Sequence, residues 1–144
     1  MGASNSIIWN NVFISFNKSC DDQLKQNCID CIKKLNFNII NLNYINDEKL
    51  NFIEMDNIKH DILSCQYVIQ FISKYTLQSN YQSYIDIIIN ENKVKVIYLI
   101  MDNKLLPLNC KGIRTFIGTN PSYPCFDKST INYSFNKIKA ILSS

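Results

Sequence analysis

The runs YVIQFIS (residues 67–73) and VKVIYLIM (residues 94–101) decide the fold of this chain. Both are rich in β-branched and aromatic residues and scarcely alternate with polar ones, which is typical of strands buried on both faces of a parallel sheet. Between them a helix is predicted from Ser79 to Asn92, because apolar side chains recur there at helical spacing. Strand, helix and strand in this order form a right-handed βαβ unit. The predicted inner face of the helix is Tyr81, Ile85, Ile88 and Ile89.

The same alternation extends toward the N-terminus. VFISF (residues 12–16) is predicted to be the first strand, and residues 37–42 a second one. Asp21 or Asp22 is predicted to cap the amphipathic helix between them. A further helical stripe precedes the strand at residues 67–72. The apolar positions of the two helices are Leu24, Cys28, Cys31, Ile32 and Leu35 in the first, and Met55, Ile58, Ile62 and Cys65 in the second.

Toward the C-terminus we predict an edge strand at residues 113–117, an irregular segment at residues 121–124, and a last helix capped by Ser129 or Thr130. Strands and helices that alternate in this way predict one α/β domain over residues 11–144. Its doubly wound, mainly parallel sheet has five strands in the order 2-1-3-4-5, with helices on both faces. The predicted core includes Phe13, Ile14, Cys28, Ile32, Ile62, Val68, Ile69, Phe71, Ile85, Ile88, Val96, Ile97 and Leu99.

The composition is that of a globular chain, with 47% hydrophobic and 19% charged residues among 144. The formal net charge of +3 comes from lysines, with Arg114 as the only arginine, and is too small to indicate a nucleic-acid partner. Nothing that resembles a signal peptide precedes the cysteines, so we expect free thiols in a cytoplasmic chain. The six cysteines are Cys20, Cys28, Cys31, Cys65, Cys110 and Cys125.

Residues 1–10 are predicted to be a polar leader. Their start, MGASNS, fits the N-myristoylation pattern, with Gly2 exposed after Met removal and Ser6 at the favoured position. A chance match is the alternative, because the pattern is short. One acyl chain holds a membrane weakly, and no basic cluster follows it, so we expect at most a weak peripheral membrane association through Gly2.

Three motifs resemble, in their order and spacing, the TIR (Toll/interleukin-1 receptor) domain family of signalling modules. VFISF is similar to the family's opening strand V-F-I-S-Y. Residues 61–73 resemble the helix and third strand that end in Ser, and SKYTLQSNY (residues 73–81) is similar to the S-x-x-Y-x-x-S-x-W/Y stretch. The resemblance covers residues 11–108. It implies a flavodoxin-like fold and a stand-alone module in innate-immune-type signal transduction, an adaptor or a decoy that associates with itself and with other TIR-domain proteins.

One departure from the family concerns catalysis. TIR domains that cleave NAD carry a Glu twelve residues after the Ser that ends the third strand, and twelve residues after Ser73 stands Ile85. The resemblance therefore implies no catalytic residue and no cofactor. Asp86 is the fallback acid, although one helical step turns it about 100° away. Two alternatives stay open: an NAD hydrolase that uses Asp86 or Glu91, and a flavodoxin-like domain that binds a small ligand at its strand ends.

The resemblance also indicates two binding surfaces. The loop after the second strand is the family's main partner-contact region, and here it lacks the usual Pro-Gly turn, so the family does not define its shape. Its candidate contact residues are Tyr44, Asn46, Asp47, Glu48 and Lys49. The other surface is the cleft at the strand ends, where ligands of such sheets bind. Its candidates are Phe16, Asn17, Ser73, Tyr75, Ser79 and Tyr81.

Other reactive residue types do not form a recognisable site. The C-x-x-C pair of Cys28 and Cys31 lies in mid-helix, where we expect core packing rather than a redox or zinc site. His60 is the only histidine, and we expect a solvated helix residue rather than a member of a triad. No metal is expected, because the acidic residues do not follow the spacing of an ion-binding loop. These are Asp47, Glu48, Glu54, Asp56 and Asp61.

Overall fold

The structure, a computed structural model, describes residues 8–15, 21–40, 52–73, 80–102 and 117–142, without the side chains of residues 8, 9 and 80–82. The described residues form five strands and four helices. In chain order they are β1 (Ile8–Ser15), α1 (Asp22–Lys34), β2 (Asn38–Ile40), α2 (Phe52–Leu63), β3 (Cys65–Ile72), α3 (Asn80–Asn92), β4 (Val96–Ile100), β5 (Ser122–Pro124) and α4 (Lys128–Leu142).

The five strands form one sheet in the order β2-β1-β3-β4-β5, and all neighbouring pairs are parallel. This confirms the predicted α/β fold, with flavodoxin-like topology. The chain moves from β1 outward to β2 and then returns to β3, so the strand order reverses between β1 and β3. The carboxyl ends of these two strands are the place where ligands of such sheets bind.

The helices cover both faces of the sheet. Side chains of α1 and α4 pack on one face, in a cluster that contains Ile14, Ile69 and Leu99. Side chains of α2 and α3 pack on the other face, in a cluster that contains Phe13 and Val68. Every residue that we predicted for the core is buried. The alternation of side chains along each strand distributes the apolar residues over both faces.

Helix α1 is capped as the sequence predicts. The Asp21 carboxylate accepts a 2.9 Å hydrogen bond from the backbone N–H of Leu24, which satisfies one of the free donors of the first turn. For α4 the predicted cap is wrong. Asp127 accepts from the N–H of Thr130 at 2.7 Å, and the Thr130 hydroxyl accepts from the N–H of Asp127 at 3.1 Å. Thr130 is therefore the third helical residue of a reciprocal capping box.

The edge strand of the described sheet is Ser122–Pro124, within the segment 121–124 that we predicted to be irregular. Of the edge strand predicted at residues 113–117 the structure describes Ile117, which is in a helical turn, and residues 113–116 lie outside the described residues. The Pro121 carbonyl accepts from the N–H of Tyr98 at 2.9 Å, and the N–H of Cys125 donates to Ile100 at 2.7 Å. A proline-containing segment can pair in this way at the edge of a sheet, because an edge strand forms backbone hydrogen bonds to a neighbouring strand on one side only.

Cys65 was assigned to the stripe of the second helix, but it is the first residue of β3. Ser64 ends the helix: its N–H donates to the His60 carbonyl at 3.1 Å and its hydroxyl to the Asp61 carbonyl at 2.9 Å. The Ser64 hydroxyl thus hydrogen-bonds a backbone carbonyl near the end of α2. Among the described residues no helix is long and apolar enough to cross a membrane.

Four cysteines lie in the described residues, and all are free. Burial raises the pKa of Cys65 to about 12, and desolvation also raises the pKa of the half-buried Cys31. Cys28 and Cys125 are fully buried, so Cys28 and Cys31 pack on the core as predicted. Cys20 and Cys110 lie outside the described residues.

Among these four thiols, we expect only Cys31 to react with iodoacetamide in the native protein, and slowly, because alkylation needs an accessible thiolate. After denaturation, intact mass should show the same number of labelled thiols with and without reductant. A pair that becomes labelled only after reduction would contradict the prediction of free cysteines.

Candidate functional site

Buried polar side chains mark the place where the strand order reverses. Ser15 is the last residue of β1, Gln70 lies two residues before the end of β3, and Ser73 directly follows β3. Ser15 and Gln70 are fully buried and Ser73 is 3% exposed. Ser and Gln side chains are seldom fully buried, so three of them at one end of the sheet distinguish it from the apolar rest of the core. We take this place as the candidate functional site.

Ser15 and Gln70 belong to a polar row across three strands. Gln70 is the register partner of Ser15 on β1 and of Tyr98 on β4. All three side chains face α2 and α3, because they lie two positions after residues of the cluster on that face. The neighbouring rows are apolar: Phe13, Val68 and Val96 on one side, Ile72 and Ile100 on the other.

Asp86 reaches this row from α3. The Gln70 Nε2 donates a hydrogen bond to the Asp86 carboxylate at 3.3 Å, across the helix–sheet interface. The carboxylate also lies near Tyr98, whose pKa is raised first by burial and then by the negative charge of Asp86. Asp86 as a whole is half-buried. The helix step that separates Asp86 from Ile85 therefore does not turn Asp86 away from the sheet.

The other half of the Gln70 amide has no partner. Its Oε1 is buried, and no hydrogen bond reaches it. An unsatisfied buried acceptor costs about 1–3 kcal/mol, and most buried polar groups avoid it. A water molecule or a ligand that brings an N–H or O–H would satisfy this oxygen. Next to a carboxylate, the oxygen makes the site one that favours hydrogen-bond donors.

Ile85 packs in the core, as its place in the apolar stripe of the helix predicts. It is fully buried, in the same cluster as Ile62 and Val68, and no carboxylate occupies its position in the core. Glu91, the other acid considered for catalysis, is exposed in the last turn of α3. Because α3 runs antiparallel to the strands, Glu91 lies toward their amino ends and away from Ser15 and Gln70.

Most residues predicted for binding lie outside the described residues. This holds for Gly2, for the loop residues Tyr44, Asn46, Asp47, Glu48 and Lys49, and for Phe16, Asn17, Tyr75 and Ser79 of the strand-end cleft. Tyr81 lies in α3, but its side chain is not described. Ser73 alone is placed, and it lies at the carboxyl end of β3, as predicted for the cleft.

The described part of the chain has no group of three or more His, Cys, Asp and Glu side chains that could hold a metal ion. Glu54, Asp56 and His60 are exposed on α2, and Asp61 is half-buried. Burial raises the pKa of Asp61, and the nearby His60 lowers it in part. These side chains form a solvated helix surface, as the sequence predicts for His60.

Gln70, Ser15 and Tyr98 were not among the site residues predicted from the sequence. A signal was present: each of the apolar runs in β1, β3 and β4 contains a side chain with a polar group, and these three side chains share one register. The register between strands is not visible in a single sequence. The alignment of these three side chains can therefore be recognised only after the strand pairing is known.

No family model matches the chain, and no curated protein is recognisably similar to it. What is established is therefore the fold: a five-stranded parallel sheet in the order 2-1-3-4-5 with helices on both faces.

Proposed function

We propose that this chain is a TIR-type signalling module that acts by association with TIR domains, its own copies included, and does not cleave NAD. Such a module serves as an adaptor or as a decoy. The proposal rests on the three motifs that resemble the family, and the sheet order is the one that the resemblance implies. The absence of NAD cleavage is proposed because Ile85 occupies the position of the family's catalytic Glu.

Ile85 stands twelve residues after Ser73, where NAD-cleaving members of the family have their Glu. In this chain the position belongs to the core: Ile85 is fully buried, and its cluster includes Ile58 and Ile62 of α2. A general acid or nucleophile must reach the substrate, and an isoleucine inside a packed cluster offers neither the group nor the access. The domain then acts through contacts that its surface makes with other proteins.

Asp86 favours a second candidate, an NAD hydrolase with a displaced acid. Asp86 contacts Gln70 and lies near Tyr98 at the carboxyl-end half of the sheet, and it is half-buried. A carboxylate beside an unpaired amide oxygen suits a ligand with hydrogen-bond donors, such as an amide or a ribose. This candidate makes activity depend on one side chain, which the first candidate does not.

The two candidates predict opposite results for Asp86→Asn. If the chain is a non-catalytic module, purified protein at high concentration releases no nicotinamide from NAD, and Asp86→Asn associates with TIR partners as the wild type does. Exchanging Asp47 and Glu48 for lysines should instead weaken that association, because charges at the rim of an interface govern encounter and specificity. Glu91→Gln is the control for the NAD assay, since Glu91 lies away from the site.

Chromatographic detection of nicotinamide and a pull-down with a TIR-domain partner measure the two outcomes. Nicotinamide release by the wild type that disappears in Asp86→Asn but persists in Glu91→Gln would reverse the proposal in favour of the hydrolase.

A further inference from the structure

The two helical layers of the domain carry opposite charges. Helices α1 and α4, on one face, contain six lysines and two acidic residues. Helices α2 and α3, on the other face, contain five acidic residues and one lysine, with His60 neutral at pH 7. The formal helix charges are therefore +4 and −4. The small net charge of +3 for the whole chain hides this separation.

Among the described residues, the charges beside the helices reduce the separation without cancelling it. Lys93 directly follows α3 and offsets one negative charge of the acidic side. Asp21 and Asp127 lie on the basic side, but both cap helix N-termini, where the partial positive charge of the backbone offsets a carboxylate. Lys95 lies 5.6 Å from the centre of the Tyr67 ring, and Tyr67 belongs to the cluster on the α1 and α4 side. Its charge is thus added to the basic side.

A groove runs between α1 and α4 on the basic face. The groove has two adjoining parts. Lys34, Lys128 and one acidic residue, Asp30, line the first part. Lys34 and Lys139 line the second part, to which Leu35 and Phe135 contribute apolar surface. The groove therefore combines lysines at its sides with apolar contact surface.

The acidic face shows the complementary combination. Ile53 on α2 is 73% exposed, and Ile87 on α3 is 52% exposed. Each lies one helical turn before an exposed acidic residue, Asp56 and Glu91 respectively, so that they are neighbours on the helix surface. Large apolar side chains in contact with solvent, next to acids, suit a surface that offers apolar contact and lysines.

We propose that copies of this chain associate head to tail, with the α2–α3 face of one copy docked on the α1–α4 groove of the next. The partner is a second copy, because both complementary surfaces are present on one molecule. Such a heterologous contact leaves a free face at each end, so that assembly continues into a ring or a filament. This inference rests on the proposed function, since it specifies the association by which the module acts.

The test uses two charge-reversal variants, Lys34→Glu with Lys128→Glu, and Asp56→Lys with Glu91→Lys. All four side chains are exposed on helices, so both variants should fold. In sedimentation velocity at low salt, wild-type protein should form species larger than a monomer, which dissociate as salt screens the charges. Each variant alone should associate at least about tenfold more weakly, because one of its two docking faces then has no net helix charge to attract the other.

Mixing the two variants is the decisive step. By the same count, the α1–α4 face of the first variant and the α2–α3 face of the second variant have no net helix charge. In an equimolar mixture the unchanged acidic face of the first variant should dock on the unchanged basic face of the second, so that one-to-one complexes form. Lys93→Glu, at an exposed position that directly follows α3, is the control: it makes the acidic side more acidic and should not weaken association. Circular dichroism of each variant verifies folding. A wild type that stays monomeric at low salt, or a mixture that stays monomeric, overturns the inference.

The outcomes separate this inference from the proposed function. If both variants bind TIR partners and self-associate as the wild type does, while reversal of Asp47 and Glu48 abolishes binding, the head-to-tail contact is wrong and the proposed function stands. If the protein cleaves NAD through Asp86, the proposed function is wrong, whatever the mixing experiment shows.

Discussion

Ile85→Glu is expected to lower the free energy of unfolding by about 3–5 kcal/mol, the usual cost of an uncompensated buried charge. Ile85 is fully buried among apolar side chains of α2, α3 and the sheet, and none of the apolar groups around it can compensate a carboxylate. Urea denaturation measures the difference. The substituted protein should also release no nicotinamide from NAD, although it then has a Glu where NAD-cleaving TIR domains are expected to have theirs, because the position is closed to substrate.

The loss in Ile85→Glu should depend on pH. Burial raises the pKa of the new carboxyl in the folded state above its unfolded value of about 4.3. The destabilisation is therefore small below that unfolded value and grows as the pH rises through the folded-state pKa. Ile85→Gln, of the same size but without a charge, should show no such dependence. An Ile85→Glu protein as stable as the wild type at pH 7 would show that a polar cleft surrounds Ile85.

Ile69→Ala is expected to cost about 2–5 kcal/mol, since it removes buried methyl groups and leaves a cavity. Ile69 is fully buried in the central strand β3, where it pairs with Ile14 of β1 and Ile97 of β4. Both neighbours are held by the sheet, so the cavity cannot close easily. Equilibrium denaturation by urea measures the difference in the free energy of unfolding, provided that its slope against urea concentration is the same in both proteins.

Ile53→Ala is the matched control for this substitution. It removes the same atoms from a side chain that is 73% exposed, so stability should change by no more than about 0.5 kcal/mol. Ile69→Val, which removes one methylene group, should fall between the two at about 0.5–1.5 kcal/mol. A cost for Ile69→Ala as small as that for Ile53→Ala would mean that β3 is not the centre of the core.

The sequence predicted the elements that are buried on both sides. Strands β3 and β4 contain few polar residues, and helices α1 and α3 repeat apolar residues at helical spacing, so their positions follow from periodicity. The first strand was predicted from residue 12, because Asn10 and Asn11 interrupt its apolar pattern, but β1 begins at Ile8. The strand order followed from the alternation of strands and helices, because right-handed crossovers leave few arrangements. These predictions depend on local patterns that one sequence contains.

The elements that were misplaced depend on pairing or on single side chains. β5 has three residues and two prolines beside or within it, Pro121 and Pro124, so its own composition is that of a loop. Only its hydrogen bonds to β4 make it a strand. Cys65 fits the apolar stripe of α2 equally well, and the Ser64 hydroxyl, which ends the helix earlier, has no signature in the spacing.

The candidate site was predictable only in outline. The carboxyl ends of the strands were expected to carry it, but the pair that defines it, Gln70 and Asp86, joins a strand to a helix sixteen residues later. Asp86 was set aside because a helical step of about 100° separates it from the apolar face. The structure shows that a side chain on the flank of a helix still reaches a glutamine on the sheet below.

Pro124 affects how this protein avoids aggregation through the β5 edge. The Cys125 N–H and the Pro121 carbonyl both point to β4, so in a parallel strand residues 122 and 124 direct their backbone groups to the open edge. Of these two, Pro124 has no N–H, which leaves Ser122 as the outward donor of β5. An incoming strand would find too few hydrogen bonds to extend the sheet.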